Sequence, residues 1–357
     1  MTTLDSSPDV DDEEVFVSPL SFPGSHYPSG WFQIAWSDDV APGEMKHLHY
    51  FGQGIVLWRG ESGKLNATDQ HCLHLGGNLG VGGHVEGEDI VCPWHHWHWS
   101  GEGKNTLIPY SVQKCKPNLQ LKTWDVRDWH GCVIVWFDEA GEAPTWEPPD
   151  IEGMDNDEFY PVDESMRFVA RIKAHPQMII ENGGDPAHVM YIHGAGEMPR
   201  YENMKVEGPL WSADVSATYG AGRKSTWLTP NGPTEVTVGF RNWGLGIGAT
   251  VWPAEFMSTL MVICHAPVDD EYTDQFFWIT ARRTTPDSTE PPKGLHRFFE
   301  HQKAINAQDY FTWANMKVLP LPNFTPEEAK PMASMRRWAW QFYPHGPQPK
   351  NLGSPKS

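Results

Sequence analysis

Four residues in two short stretches have the chemistry to hold metal. HCLHLGGNLG (71–80) carries Cys72-x-His74, and VCPWHHWHWS (91–100) carries Cys92-x-x-His95, with seventeen residues between the pairs. Thiolate and imidazole are soft or borderline ligands, and four of them at such spacings suit Zn²⁺ or an iron–sulfur cluster. Gly76, Gly77, Gly80, Gly82 and Gly83 let the first loop bend back, and Pro93 stiffens the second. A [2Fe–2S] cluster would take both cysteines on one iron and both histidines on the other. A Cys₂His₂ zinc site is the alternative. Zinc knuckles pair cysteines, whereas each pair here mixes Cys with His, which favours the cluster.

A second constellation lies in IIENGGDPAHVMYIHGAG (179–196), which reads Asn182-x-x-Asp185-x-x-His188-x₄-His193. Two histidines and a later carboxylate form the facial triad of a non-haem Fe(II) site with open positions for O₂. On one straight helix, positions i and i+5 lie about 140° apart. Gly183, Gly184 and Pro186 interrupt the helix, so both histidines can reach one metal. Asp185 before Pro186 also reads as an N-cap, and it shares a face with His188. The carboxylate is sought on LHRFFEHQKAINAQDYFTWANM (295–316). Phe298, Ile305, Trp313 and Met316 form one face of that helix, Asp309 lies on the stripe, and Glu300 lies on the solvated side. A buried acid needs a partner or a metal, so Asp309 is the expected third ligand. The alternative is an acid paired with an arginine.

The elements that must position these residues follow from pattern and composition. HLHYFGQGIVLWRG, HVEGEDIVCPWH and LQLKTWDVRDWHGCVIVWFD read as short strands joined by Gly and Asx turns. EVTVGF, STLMVICHAPV and QFFWITARRT read as further strands. Helices are expected near Pro176–Ile192, over Leu295–Ala314 and in ASMRRWAWQFY. The fold class is therefore α+β. Residues 1–28 read as an acidic tail, 29–140 as an all-β domain, 141–158 as a linker, 159–345 as a catalytic domain and 346–357 as a polar tail. GLGIG (244–248) sits among strands with no following helix and reads as sheet, not as a nucleotide loop.

The 357-residue chain is 39% hydrophobic and 20% charged, as a soluble globular protein is. Its 18 Trp and 16 Phe supply both a core and an apolar pocket. Met178, Phe240, Trp243, Trp252 and Phe256 are the pocket candidates. A net charge of -19 argues against a nucleic-acid partner. No apolar run is long enough for a membrane span, and no signal peptide is visible. Five cysteines, an odd number, do not make a disulfide framework, so a reducing cytoplasm is expected. Cys115, Cys132 and Cys264 read as small buried residues.

CLHLGGNLG…CPWHHW resembles the Rieske motif C-x-H…C-x-x-H in both cysteines, both histidines, Pro93 and Trp97. It departs at Trp94 and at His96, where the family has glycine. His96 is a rival ligand, but the spacing selects His95. His71, His84 and His98 are left as surface residues or neighbours of the ligands. Respiratory members carry a disulfide at the positions of Gly77 and Trp94, which places this chain with the ferredoxin and oxygenase branch. With DPAHVMYIH added, the chain resembles the Rieske non-haem iron oxygenases over about residues 29–343. GWFQIAWSDDVAPGEMKHLHYFGQGIVLWRG, ENGGDPAHVMYIHGA, QDYFTWAN and RRWAWQFY are most like the oxygenase components of 3-ketosteroid 9α-hydroxylases and their sterol-oxidising relatives.

The resemblance implies a helix-grip catalytic domain with an antiparallel sheet. It implies one [2Fe–2S] cluster on Cys72, His74, Cys92 and His95, and one Fe(II) on His188, His193 and Asp309. Asp185 would link His95 of one subunit to His188 of the next, a catalytic role that implies a homotrimer. A separate NAD(P)H-dependent reductase is implied as partner. The implied reaction is O₂-dependent hydroxylation of an apolar polycyclic substrate, most like a 3-ketosteroid at C9. O-demethylation, N-oxygenation and sterol desaturation are the alternatives.

Overall fold

The computed structural model describes residues 27–151, 154, 158–220, 227–253, 257–317, 319 and 322–343. Three small antiparallel sheets come first. β1 (Gly30–Trp36), β9 (Val126–Trp129) and β10 (Cys132–Phe137) form one, ordered β1-β10-β9. β2 (Met45–Tyr50), β3 (Gln53–Arg59) and β4 (Leu65–Asp69) form the second. The third is β5 (His84–Glu86), β6 (Asp89–Val91), β7 (His98–Trp99) and β8 (Asn105–Leu107). The two Cys/His loops leave the ends of these strands, one between β4 and β5, the other between β6 and β7.

A seven-stranded antiparallel sheet follows. It contains β11 (Arg167–Ile172), β12 (Arg200–Glu207), β13 (Leu210–Tyr219), β14 (Thr234–Trp243), β15 (Ile247–Val251), β16 (Thr259–Pro267) and β17 (Thr273–Ala281). Its order is β11-β17-β16-β15-β14-β13-β12. Every residue of β1, β10 and β17 is buried. These strands are covered on both faces, which is why β10 and the middle of β17 run apolar instead of alternating. Period 2 splits β16 cleanly. Leu260, Val262, Cys264 and Ala266 join the core shared with Trp31, Ile34 and Val135 of the first half. Met261, Ile263 and His265 face the opposite side, toward an internal cavity.

The helices cover that opposite side. α1 (Pro176–Glu181) and α2 (Pro186–Tyr191) are separated by a 3-10 turn at Asn182–Gly184, so the predicted helix is interrupted at the two glycines and the proline. α3 (Leu295–Asn315) and α4 (Pro326–Ala339) complete the layer. On α3, Phe298, Asp309 and Trp313 are buried and Glu300 is exposed, as the stripe required. Met316 does not belong to the stripe. It is 54% exposed because it is the C-cap, with extended backbone beyond the last turn.

GLGIG forms the turn between β14 and β15, and Ile247 opens β15. A Cβ on Gly246 would meet the carbonyl oxygen of Trp31 at 2.1 Å, so glycine allows the sheet to approach β1. The segment read as a linker is strapped to the first half. Trp31 Nε1 donates to the Trp146 carbonyl at 2.8 Å, and Trp129 Nε1 to that of Pro149 at 2.8 Å. Of the predicted N-terminal tail, Tyr27 and Pro28 are buried, and the rest lies outside the described residues, as does the C-terminal tail.

Candidate active site and cluster site

The two Cys/His loops are the same turn built twice. In the first, Gly76 N donates to Cys72 O at 3.0 Å and Cys72 N to Gly77 O at 2.9 Å. In the second, His96 N donates to Cys92 O at 3.0 Å and Cys92 N to Trp97 O at 2.9 Å. Both cysteines are buried, and the His74 and His95 rings lie 4.6 Å apart. Trp97 stacks flat on His74 at 4.4 Å, and Trp99 Nε1 donates to Cys72 Sγ at 3.3 Å.

These residues fit a cluster. His74 Nδ1 is buried with no hydrogen-bond partner, as suits an atom that would bind a cation. Burial, with Cys92 alongside, pushes the Cys72 thiol up to about 11, a cost that metal binding as thiolate reverses. A mononuclear zinc site would draw four ligand atoms to one point. Among the described residues, only His188, His193 and Asp309 bring three such atoms within 4.8 Å of one another. The spread of the four Cys/His ligands therefore favours a binuclear cluster over zinc. A Cβ on Gly77 would lie 3.7 Å from Trp94 Cβ, a disulfide's span, at two positions that are not cysteine.

The second site is built by the interrupted helix and α3. Asp185 caps α2, its Oδ1 accepting from Ala187 N at 2.9 Å and His188 N at 3.2 Å. Its backbone carbonyl accepts from His188 Nδ1 at 2.5 Å. Gln308 Oε1 accepts from His193 Nδ1 at 2.9 Å. Both imidazoles therefore turn Nε2 lone pairs inward, the tautomer a metal ligand needs. His193 Nε2 lies 3.4 Å from Asp309 Oδ2, and no arginine among the described residues pairs with that acid. Asn182 Nδ2 donates to His188 Nε2 at 3.1 Å and to Asp309 Oδ2 at 3.2 Å. Burial opposes charge on both histidines. It lowers His188, whereas hydrogen bonds to Asp309 and Gln308 outweigh it and raise His193. Two imidazoles and a carboxylate meeting on three sides of one point suit Fe(II).

A cavity of 480 Å³ opens onto these three residues. Ile180, Val215, Val238, Phe240, Trp252 and Phe277 make apolar walls. His265, Gln275 and Asn306 give one polar region. Gln275 Oε1 accepts from Tyr310 OH at 2.9 Å and from Asn306, and Gln275 Nε2 lies 3.3 Å from His265 Nε2.

Residues 30–125 match the Rieske [2Fe-2S] domain family. Residues 135–343, more than half of the chain, match the 3-ketosteroid 9alpha-hydroxylase C-terminal domain family. The chain belongs to the Rieske oxygenases of that family.

The oxygenase carries a [2Fe–2S] cluster and a mononuclear non-haem iron, and its fold is that of a terminal oxygenase component. It is 28% identical over 333 residues to cholesterol 7-desaturase nvd 1 of Ciona intestinalis, covering 89% of this chain and 69% of that one. It is also 28% identical over 344 residues to a 3-ketosteroid-9-alpha-monooxygenase oxygenase component of Rhodococcus rhodochrous, covering 93% of this chain and 85% of that one. The crystal structure of dicamba monooxygenase bound to dicamba superposes with a TM-score of 0.68 at 14% identity, over 89% of this chain and 98% of that one, a likeness of fold.

The structure of the oxygenase revises the predicted pocket. Phe240 and Trp252 line the cavity. Trp243 does not. Val238, Phe240 and Asn242 take the cavity face of β14, so the next residue points the other way, into the core shared with the first half. Met178 does not line it either, because Ile179 and Ile180 hold that side of α1. Phe256 lies outside the described residues. His71 and His84 are exposed, but His98 is buried in β7, 3.8 Å from Asp89. Cys132 and Cys264 are buried, while Cys115 is only partly so. Gln308 and the polar group around His265 were missed by sequence reasoning. Gln308 adjoins Asp309 and was findable as the neighbour of a ligand. The His265 group spans two strands and a helix, so no local pattern announces it.

Proposed function

We propose that this chain is the terminal oxygenase of a multicomponent monooxygenase that hydroxylates an apolar polycyclic substrate, a 3-ketosteroid at C9. The observation that carries this reading is the cavity. It is large enough for such a ligand, mostly apolar, and floored by His188, His193 and Asp309. When bound, the iron supplies O₂ activation and the cluster supplies electrons singly. The chain's own residues do the rest. The Asp185 carbonyl and Gln308 fix the two imidazoles, Asp309 completes the ligand set, and the apolar walls hold the substrate and exclude water.

Electrons come from a separate reductase. We read the active form as a homotrimer in which His95 faces the neighbouring subunit's Asp185. In support, Leu73, Leu75 and Trp94 beside the cluster loops are 45%, 61% and 61% exposed, as is fitting for a surface that a neighbour covers. The five cysteines are all free, which suits the cytoplasm, and no helix among the described residues is long and apolar enough to cross a membrane.

Sterol desaturation is the second reading, favoured by equal identity to a cholesterol 7-desaturase. Reconstitution with NADH and a ferredoxin-type reductase tests both. A 3-ketosteroid, a 3β-hydroxysterol and an aromatic acid are offered in turn. A product one oxygen heavier, formed from the ketosteroid alone, supports hydroxylation. A sterol product two hydrogens lighter supports desaturation and overturns the first reading.

A further inference from the structure

The chain is strongly acidic, yet residues 104–122 carry Lys104, Lys114, Lys116 and Lys122 and not one Asp or Glu. All four lysines are exposed, and none makes a salt bridge among the described residues. The segment is a built loop. Ile108 N donates to Lys114 O at 2.6 Å, closing its tip. Asn105, 3% exposed, pins its base, donating to His98 O at 3.0 Å and accepting from Lys116 N at 2.8 Å. His98 immediately follows the second cluster loop, so the basic segment is fixed beside the cluster.

The tip is apolar and faces water. Tyr110 is 63% exposed and Val112 fully so. Tyr110 OH accepts from Trp97 Nε1 at 2.9 Å, and Trp97 lies flat on His74. The loop is thus coupled to the His74 side of the cluster, which leaves His95 for the neighbouring subunit. An exposed apolar tip followed at once by exposed Lys114 and Lys116, on a chain of net charge -19, fits a negatively charged partner that must come close to the cluster.

We infer that residues 104–116 are the docking surface for an acidic electron-donor protein, the iron–sulfur domain of the reductase, which delivers electrons through the His74 side. The inference rests on the reading of this chain as an oxygenase fed by a separate reductase. Each encounter oxidises the donor's reduced centre by one electron and reduces the cluster by one, and no bond or proton is exchanged. Lysine charge steers the approach, and Tyr110 with Val112 supplies a small desolvated contact, as transient redox encounters use.

The test is stopped-flow bleaching of the oxidised holoenzyme by a reduced, acidic plant-type ferredoxin. For Lys114→Glu/Lys116→Glu the second-order rate constant should fall about tenfold or more at low salt. Added salt should slow the wild type and leave the variant nearly unaffected. Tyr110→Ala should lower the rate constant and retain the wild type's salt dependence. Reduction by dithionite and the elution volume on gel filtration should match the wild type in both variants. An unchanged rate constant for the double variant, or a variant whose subunit assembly is lost, overturns the docking assignment. Failure of dithionite to bleach a visible cluster in the wild type would overturn the oxygenase reading itself, a distinguishable result.

Discussion

His96 and Gly76 occupy the same position in the two cluster loops. Each donates its amide at 3.0 Å to the carbonyl of the cysteine four residues before it, and each is left-handed, with φ of 55° and 77°. His96, which stands where the family has glycine, therefore keeps the turn, and it is exposed. Histidine tolerates this conformation better than most side chains, and β-branched residues tolerate it least. His96→Gly should keep the visible cluster spectrum and change stability by no more than about 1 kcal/mol. His96→Val should lower cluster content and stability together. Absorbance and denaturation curves read both. A colourless His96→Gly protein would show that His96, not His95, is the ligand.

Gln308 accepts from His193 Nδ1 at 2.9 Å and is itself exposed, so it can be changed without disturbing the core. Gln308→Leu should weaken Fe(II) binding about 10-fold to 100-fold, as loss of such a supporting contact does. Gln308→Glu should restore it. Chelator competition measures the affinity, and the cluster spectrum should not change. Equal affinity in Gln308→Leu would mean that His193 needs no support.

The candidate cluster site was legible as a constellation because a loop site is written in neighbouring residues: Cys72 with His74, Cys92 with His95. The break between α1 and α2 was legible because Gly183, Gly184 and Pro186 have strong backbone preferences. Asp309 was legible as an acid on an apolar stripe. The cavity was not, since it is made by alternate residues of several strands. Trp243 and Phe240 look alike in sequence, and only strand register sends one to the core and the other to the cavity. Met316 looked like one more turn of the stripe, but the helix ends just before it.

Burial lowers the pKa of His265 to about 3, far below its ordinary value. The unfolded chain binds this proton near pH 6.5, so protonation favours unfolding between pH 6.5 and about 3. Stability is complete above that window and falls as pH drops through it, by up to about 1.4 kcal/mol per pH unit from this group. His265→Gln should flatten the acid limb of the stability curve by close to one proton. An unaltered slope would mean that His265 titrates normally in the folded state.

Ala217 is 5% exposed and lines the cavity. Ala217→Phe should fill space that a polycyclic substrate needs, while both metal centres load normally. Coupled steroid turnover should drop at least about tenfold, chiefly through KM, if the ligand binds where the walls suggest. Unchanged KM would place the substrate elsewhere.

A single turnover without the reductase tests the oxygenase reading most directly. Dithionite-reduced, iron-loaded enzyme is freed of reductant, then mixed with a 3-ketosteroid and ¹⁸O₂, and the product is analysed by mass spectrometry. The predicted result is a hydroxysteroid carrying ¹⁸O, absent in His188→Ala, whose cluster still reduces. A fully loaded enzyme whose cluster reoxidises without forming any oxidised steroid or sterol would contradict it.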